Sequence, residues 1–582
     1  MRGRHAATVF ALLAHGAYAV ADRMTNPLAG FLVHDAARYD AWARAIVAGQ
    51  VFEPGAFSQA PLYPYVVAAL YAIVGPHSGA VVALQVLLGA ATVALVGRAA
   101  AAAFDETAGA WAAWLCALYG VLAFFETKLM PVTVVVALAA LAIERMQAAD
   151  RDDRTLFWLP AGLAVGLLGI AHAASFLLIP LGALWIGSDR SRTVSSRVAR
   201  ALLFVGTAAA VAAPVAWRNA AAGGGHVLVS DNGGVTFWQG NNPASVGVYS
   251  TPEGFTGSIE TQREESRRLA AAATGRVLRD DEVSAYWFSR GRAFLAGDLP
   301  HAARLLGRKL LLSIASTEQP LEYSPRLDAV PLRFLLPLPF AVLFSLALLG
   351  IGPTFRTRAA QPALLVCAAP LVVLLAFYVA SRYRLPVVPG LAIMAGRGAA
   401  HASVRSWPVR AAILALAIVS LLWFPLTERG LAAEQDAASV RDLATALRET
   451  GRIDEAIATY RRSLAKDAGA PYTHLDLGKA LARAGKRSEA EAEVRETLRL
   501  APGIGEAHFD LGVIAFESGR LEEAAASFEE AWRLAPADAA ASNNLAGTYL
   551  KLGRGDDARA TIRTMRERGI AVDPPLASAA GE

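Results

Sequence analysis

Asp35, Glu126, Arg382 and Arg384 are the residues whose types and settings point to chemistry, because each stands where apolar sequence gives way to polar sequence. A carboxylate at such a boundary can take a proton from a hydroxyl as a general base. A guanidinium pair offers planar bidentate donors that keep their charge, which suits phosphate. Asp35 opens the stretch HDAARYDAWARAIVAGQ, where it reads either as that base or as the N-cap of a helix beginning at Ala36; one residue could do both. Glu126, in FFETKLMP, has only Thr127 and Lys128 as polar company. It reads as a membrane-edge anchor paired with Lys128 or as a functional acid, since ionisable groups at membrane depth are costly. Arg382 and Arg384 flank Tyr383 in ASRYRLPVVP, and His172 lies inside a long apolar run. His172 either lines the same cavity or makes a helix-packing hydrogen bond. Two acids and an arginine pair gathered on one face would suit a phosphate-linked substrate.

The elements that must position these residues are mainly apolar helices. Tyr39, Trp42, Ala43, Ile46 and Val47 recur at helical spacing, opposite Arg38, Asp40 and Arg44. They predict a short amphipathic helix lying flat on a membrane surface, ended by Gly49 and followed by PLYP. A window reading gives about eleven membrane-spanning helices. After an N-terminal signal-anchor helix they are 79–97, 108–125, 131–143, two helices within 157–187 with a turn near HAAS, 201–217, 333–351, 361–380, 385–396 and 411–425. The apolar piece at 62–75 reads as interfacial. External loops fall at about 23–78 and 218–330, the second a folded loop of mixed structure. Arg98, Arg145, Arg151, Arg154, Arg190 to Arg200, Arg356, Arg358, Arg397, Arg405 and Arg410 fall in short loops of one side. The positive-inside bias therefore places Asp35, Glu126, Arg382 and Arg384 on the outer side, with the C-terminus.

With 55% hydrophobic and 18% charged residues and a positive mean hydropathy, the chain reads as an integral membrane protein with one water-soluble part. The formal charge of +5 is modest for 582 residues, and no basic stretch interleaved with aromatics suggests nucleic acid. Cys116 and Cys367 lie in apolar runs and read as buried thiols.

Beyond about residue 429 the composition turns to Ala, Glu, Arg and Leu. Gly451, Gly485, Gly519 and Gly553 recur every 34 residues, in register with Ala456, Ala490, Ala524 and Ala558 and with Tyr460, Val494, Phe528 and Ile562. This is the tetratricopeptide period, with repeats at about 437–470, 471–504, 505–538 and 539–572. The expected fold is all-α, a membrane domain over 1–428 and a repeat α-solenoid over 429–582. The groove of such a solenoid receives a protein or peptide, or else the array only holds the protein in a complex or dimer.

The first part resembles the dolichyl-phosphate-mannose–protein mannosyltransferases, of the polytopic GT-C class of glycosyltransferases. The resemblance rests on Asp35 and Tyr39 before PLYP, the acid in FFETKLMP, Arg218-Asn219 followed by Gly-Gly and GNNP, and RYRLPVVP. It covers roughly residues 1–425. It implies transfer of a sugar from a polyprenyl-phosphate donor to a polypeptide or glycan, in a bacterial inner membrane, with the repeats extracytoplasmic. Asp35 would be the base and Glu126 the second acid. Arg382 and Arg384 would lie near the lipid phosphate, and Tyr39, Lys128 and His172 would join them in binding substrate. Many members carry two adjacent acids where this chain has His34 before Asp35, which implies metal-independent transfer without a cofactor. The competing readings are a transporter or polysaccharide-export component, and a non-enzymatic membrane scaffold acting through the repeats.

Overall fold

Breaks in the apolar runs decide the architecture of the first part of the chain. The structure, a computed structural model, describes residues 1–252, 254–255, 262–325, 338–401, 407–408, 411–412, 414–415, 417–419, 429–579 and 581. It divides into two compact units, Met1–Arg429 and Gly430–Glu582.

The first unit opens with α1 (Arg2–Thr25), α2 (His34–Val47), α3 (Leu62–Val74), α4 (Ser78–Ala103), α5 (Glu106–Leu118) and α6 (Gly120–Glu126). It continues with α7 (Val132–Arg151), α8 (Trp158–Ala171), α9 (Leu178–Gly187) and α10 (Val194–Asn219). Four helices, α11 (Gly233–Gly240), α12 (Gln262–Thr274), α13 (Asp280–Gly297) and α14 (Leu299–Ile314), make up the large polar segment, where the sequence predicts mixed structure. The unit closes with α15 (Phe340–Arg356), α16 (Gln361–Ala376), α17 (Ser381–Arg384) and α18 (Val388–Ala400).

Among the described residues four helices are long and apolar enough to cross a membrane: Ser78–Ala103, Val132–Arg151, Val194–Gly224 and Arg358–Ala376. This corrects the expectation of about eleven. The expected span 108–125 breaks at Tyr119 (φ −78°, ψ 89°) into α5 and α6. The run 157–187 breaks at His172 (φ −152°, ψ 96°), at the turn expected near HAAS, but α8 and α9 on either side have only 14 and 10 residues. α15 has 17 residues and α18 has 13. At 1.5 Å per residue these reach about 20–26 Å, short of the roughly 30 Å hydrocarbon thickness. A window of apolar residues does not register a break in the backbone. The expected span 411–425 lies largely outside the described residues.

One continuous core of small and aromatic side chains runs through this unit, including Ala112, Ala113, Ala392 and Ala395, which let α5 and α18 approach closely. Ion pairs define one of its ends. Arg358 meets Asp150 at 2.9 Å, Arg192 meets Asp153 at 2.7 Å, and Arg397 meets Asp105 at 3.3 Å. The ends of α4 and α7 and the starts of α10 and α16 thus gather there. The opposite end holds α2, α17 and the segment after α14.

In the second unit eight helices form a series of four pairs. The first helices of successive pairs are Arg429–Glu449, Pro471–Arg483, Gly505–Glu517 and Ala539–Lys551. The second helices are Ile453–Leu464, Arg487–Leu500, Leu521–Leu534 and Gly555–Glu567. Gly451, Gly485, Gly519 and Gly553 turn each pair with φ between 75° and 80°, a left-handed conformation that costs other residues strain. Ala456, Ala490, Ala524 and Ala558 are fully buried, as are Tyr460 and Ile562, with Val494 and Phe528 nearly so. A short last helix, Pro574–Ala579, brings Leu576 against Ala546 and Ile562 and closes the open end of the core.

Candidate functional site

Two places gather polar groups in a manner that could serve function, one in each unit. In the first unit, α2 starts with His34 in the left-handed region (φ 48°), the only non-glycine residue with positive φ among those described. Val33 takes the N-cap position without a side-chain bond, so Asp35 stands inside the first turn and does not cap the helix. Its carboxylate is buried. Oδ1 accepts from Gln59 Nε2 at 2.7 Å and Oδ2 from Arg382 Nη1 at 2.9 Å. The same Arg382 nitrogen donates to Glu322 Oε1 at 2.7 Å. Two carboxyls therefore share one guanidinium, with a narrow cleft beside it lined by Phe125, Met130, Gln319 and Tyr323.

Burial acts to raise the Asp35 carboxyl, yet the Arg382 charge and the hydrogen bonds around it hold it below its ordinary value. Glu322 goes the other way. Burial pushes it up to about 8 in spite of Arg382, and the neighbouring Asp35 charge adds to the push. The pair thus retains one proton at neutral pH, with Asp35 ionised. A general base works best with a pKa near the working pH, whereas the Asp35 carboxyl is held below its ordinary value and both its oxygens accept internal hydrogen bonds.

The other expected residues are also spent internally. Arg384 is buried; it donates to the Ala315 carbonyl, pairs with Glu318 at 2.6 Å and lies over the Phe340 ring. Tyr119 donates to the same Glu318 at 2.8 Å. Glu126 does not pair with Lys128. His15 Nδ1 lies 2.9 Å from Glu126 Oε2, with its Nε2 facing the Ala117 carbonyl, while Lys128 Nζ pairs with Asp22 at 3.1 Å. Lys128 also rests over the rings of Phe124 and Tyr323. Gly89 makes room for Glu126, since a Cβ there would stand 1.9 Å from its Oε1. Tyr39 sits one turn after Asp35, edge-on to Tyr63 at 5.2 Å. His172 bonds locally to Ser175 at 3.0 Å, apart from the other residues. The fold thus brings Asp35 to Arg382 and separates Arg382 from Arg384. Partners not read from the sequence are Glu322, Glu318, Gln59, His15 and Asp22. Of these, His15 and Asp22 carried a signal, as ionisable residues within an apolar helical run. Among the described residues no group of three or more His, Cys, Asp or Glu is placed to hold a metal ion.

In the second unit, contacts sort the helices into two rows. Arg448 to Asp476 at 3.0 Å, Lys479 to Glu506, and Lys551 over the Phe516 ring at 4.2 Å link successive first helices. Arg461 to Glu489 at 2.7 Å and Arg520 to Glu491 at 2.7 Å link the second helices. The row of first helices presents half-buried Phe509, Val513, Phe516 and Leu550.

Residues 440–567 match a family described as "Cilia and flagella-associated protein 70 middle TPR-like domain". The second unit is a tetratricopeptide-like domain. Similar solved structures include the first TPR of Spaghetti (RPAP3) bound to an HSP90 peptide, SRMEEVD. It is 25% identical, covering 21% of this chain and 95% of that one, with a TM-score of 0.20. The crystal structure of MamA is 17% identical, covering 23% of this chain and 78% of that one, with a TM-score of 0.22. No curated protein matches the chain.

These findings overturn the resemblance to GT-C glycosyltransferases. The family match falls on the repeats, the long apolar helices among the described residues number four where a layout of about eleven was expected, and the acids and arginines proposed for transfer are each paired internally, Asp35 with Arg382, Arg384 with Glu318 and Glu126 with His15. The transferase activity falls with the resemblance, as do the polyprenyl-phosphate sugar donor and the lipid partner it implied. The first unit carries several long apolar helices of the kind that associate with membranes.

Proposed function

We propose that the protein is a non-enzymatic, membrane-associated scaffold that holds a partner protein on its repeat domain. The observation that carries this reading is the row of first helices, where aromatic and aliphatic side chains stay half-exposed beside paired charges. Stacked helix pairs of this type form extended concave surfaces that bind other chains. The internally paired charges of the first unit support a structural, membrane-associated part for it. A photo-crosslinking amino acid placed at Phe509 or Val513 should give a discrete adduct in cells, and one at Glu489, in the other row, should not. Equal labelling from both rows, or none from the first, would remove the reading.

We further propose that the protein sits in a bacterial plasma membrane with the repeats on the extracytoplasmic side. The support is the arginine-rich end of the first unit, the positive-inside bias, and the apolar run 411–425 that separates Arg405 and Arg410 from the repeats in sequence.

A further inference from the structure

The half-exposed face of the first repeat helices is not uniformly charged, and the imbalance falls at one residue. Three cations on this face have acids of their own, and a fourth, Lys551, lies over the Phe516 ring at 4.2 Å. Arg448 holds Asp476 and Glu449, both at 3.0 Å, Arg483 lies 3.6 Å from Glu449, and Lys479 is drawn to Glu506. Asp510 is the acid left over. Its Oδ2 is buried and accepts no hydrogen bond among the described residues, and Lys479 Nζ stands off at 4.0 Å. Phe509 is its neighbour in the chain, and Val513 and Phe516 follow at helical spacing on the same half-buried face. Apolar floor and unmatched carboxylate thus lie side by side on one helix, Gly505–Glu517.

We infer that this face takes a peptide segment carrying a lysine or arginine close to an aliphatic or aromatic residue, the cation meeting Asp510 and the apolar side chain lying on Phe509, Val513 and Phe516. The inference rests on the reading of the repeats as a protein-binding array and adds the chemistry of the partner. A cation is the complement because a carboxylate with a vacant lone pair next to buried surface gains most from a charge-assisted bond. An acidic segment would face Asp476, Glu506 and Asp510 together and be repelled. Burial pushes the Asp510 carboxyl up to about 6, with Glu506 and Asp476 raising it and Lys479 and Arg448 lowering it. A bound cation therefore finds it ionised at pH 7.5 and largely neutral at pH 5, so binding should strengthen across that interval.

Full-length protein in detergent micelles, panned against phage-displayed random peptides, tests this directly. Enriched peptides should carry a basic residue within a few positions of a large apolar one. Asp510→Asn, which keeps the side-chain shape, should weaken a selected peptide by about tenfold, the scale of one charge-assisted bond. Replacing the basic residue of the peptide by Gln should cost the wild-type protein a similar factor, and this arm does not depend on how the variant folds. Enrichment of peptides without basic residues, or unchanged affinity in both arms, overturns the inference and leaves the binding array standing. No peptide whose retention is lost in a Phe509→Ala, Phe516→Ala variant overturns both.

Discussion

At the scale of single residues, Arg382 decides the state of two carboxyls. Asp35 and Glu322 both reach its Nη1, and both are buried, so removing the guanidinium would leave two acids facing each other without a counter-charge. Breaking a buried pair in this way costs about 3–5 kcal/mol, far more than the pair itself contributes over a well-packed apolar replacement. Arg382→Leu should therefore lower the thermal midpoint sharply in detergent. The pH dependence follows from Glu322. Its carboxyl rises from 4.5 to about 8 on folding, so between these values the folded chain holds a proton that the unfolded chain has released. That contribution is complete below pH 4.5 and is lost as pH rises through 8. Asp35, lowered on folding, contributes in the opposite sense, but only at more acidic pH. Thermal unfolding from pH 5.5 to 9 should thus show a falling midpoint that Glu322→Gln flattens. A midpoint that rises with pH, or a slope unchanged in Glu322→Gln, would contradict the shared-proton arrangement.

At the scale of elements, the repeats depend on glycines at the turns and small residues between paired helices. Gly485 has φ 75° with open space around it, so a Cβ there meets no atom and the cost is backbone strain alone. Gly485→Ala should cost about 1–2 kcal/mol, the left-handed penalty. Gly512 differs, since its Cβ would stand 2.7 Å from the Phe528 ring of the paired second helix. Gly512→Ala should therefore act through packing, forcing the pair apart. Hydrogen exchange on the full chain separates the two: faster exchange should centre on the 478–492 turn in the first variant and on Gly505–Leu534 in the second.

At the scale of the whole molecule, the two units present different surfaces. The exposed large apolar side chains among the described residues all precede residue 420, with Leu13, Leu184, Leu202 and Trp217 among the most exposed. Apolar exposure on this scale suits hydrocarbon, while the repeats leave only half-buried apolar side chains such as Phe509 and Phe516, among surface ion pairs. The sidedness proposed above predicts that alkaline phosphatase joined after the last repeat is active in a bacterial host. Activity of a cytoplasm-only reporter at that position would place the repeats inside.

The repeat period was visible in the sequence because each repeat makes its decisive contacts within about one period of itself. Turn glycines, small residues and large core residues then recur in register, and Ala444, Gly478, Gly512 and Ala546 form a further row at the same spacing. The amphipathic pattern near Trp42 likewise reports a local helix, found at His34–Val47. Apolar runs told the composition of the first unit and, near HAAS, the turn at His172, but not the break at Tyr119, which interrupts the backbone without interrupting the hydropathy. The polar pairings were beyond reach of any local pattern. Asp35 and Arg382 are 347 positions apart, and His15 and Glu126 are 111 apart. The sequence alone determined that both units are built from helices and that the second is a repeat. Only the tertiary structure decided that these acids and arginines, free to act when read one at a time, are each held by a partner distant in the chain, since desolvation and pairing act on neighbours in space and not on neighbours in the chain.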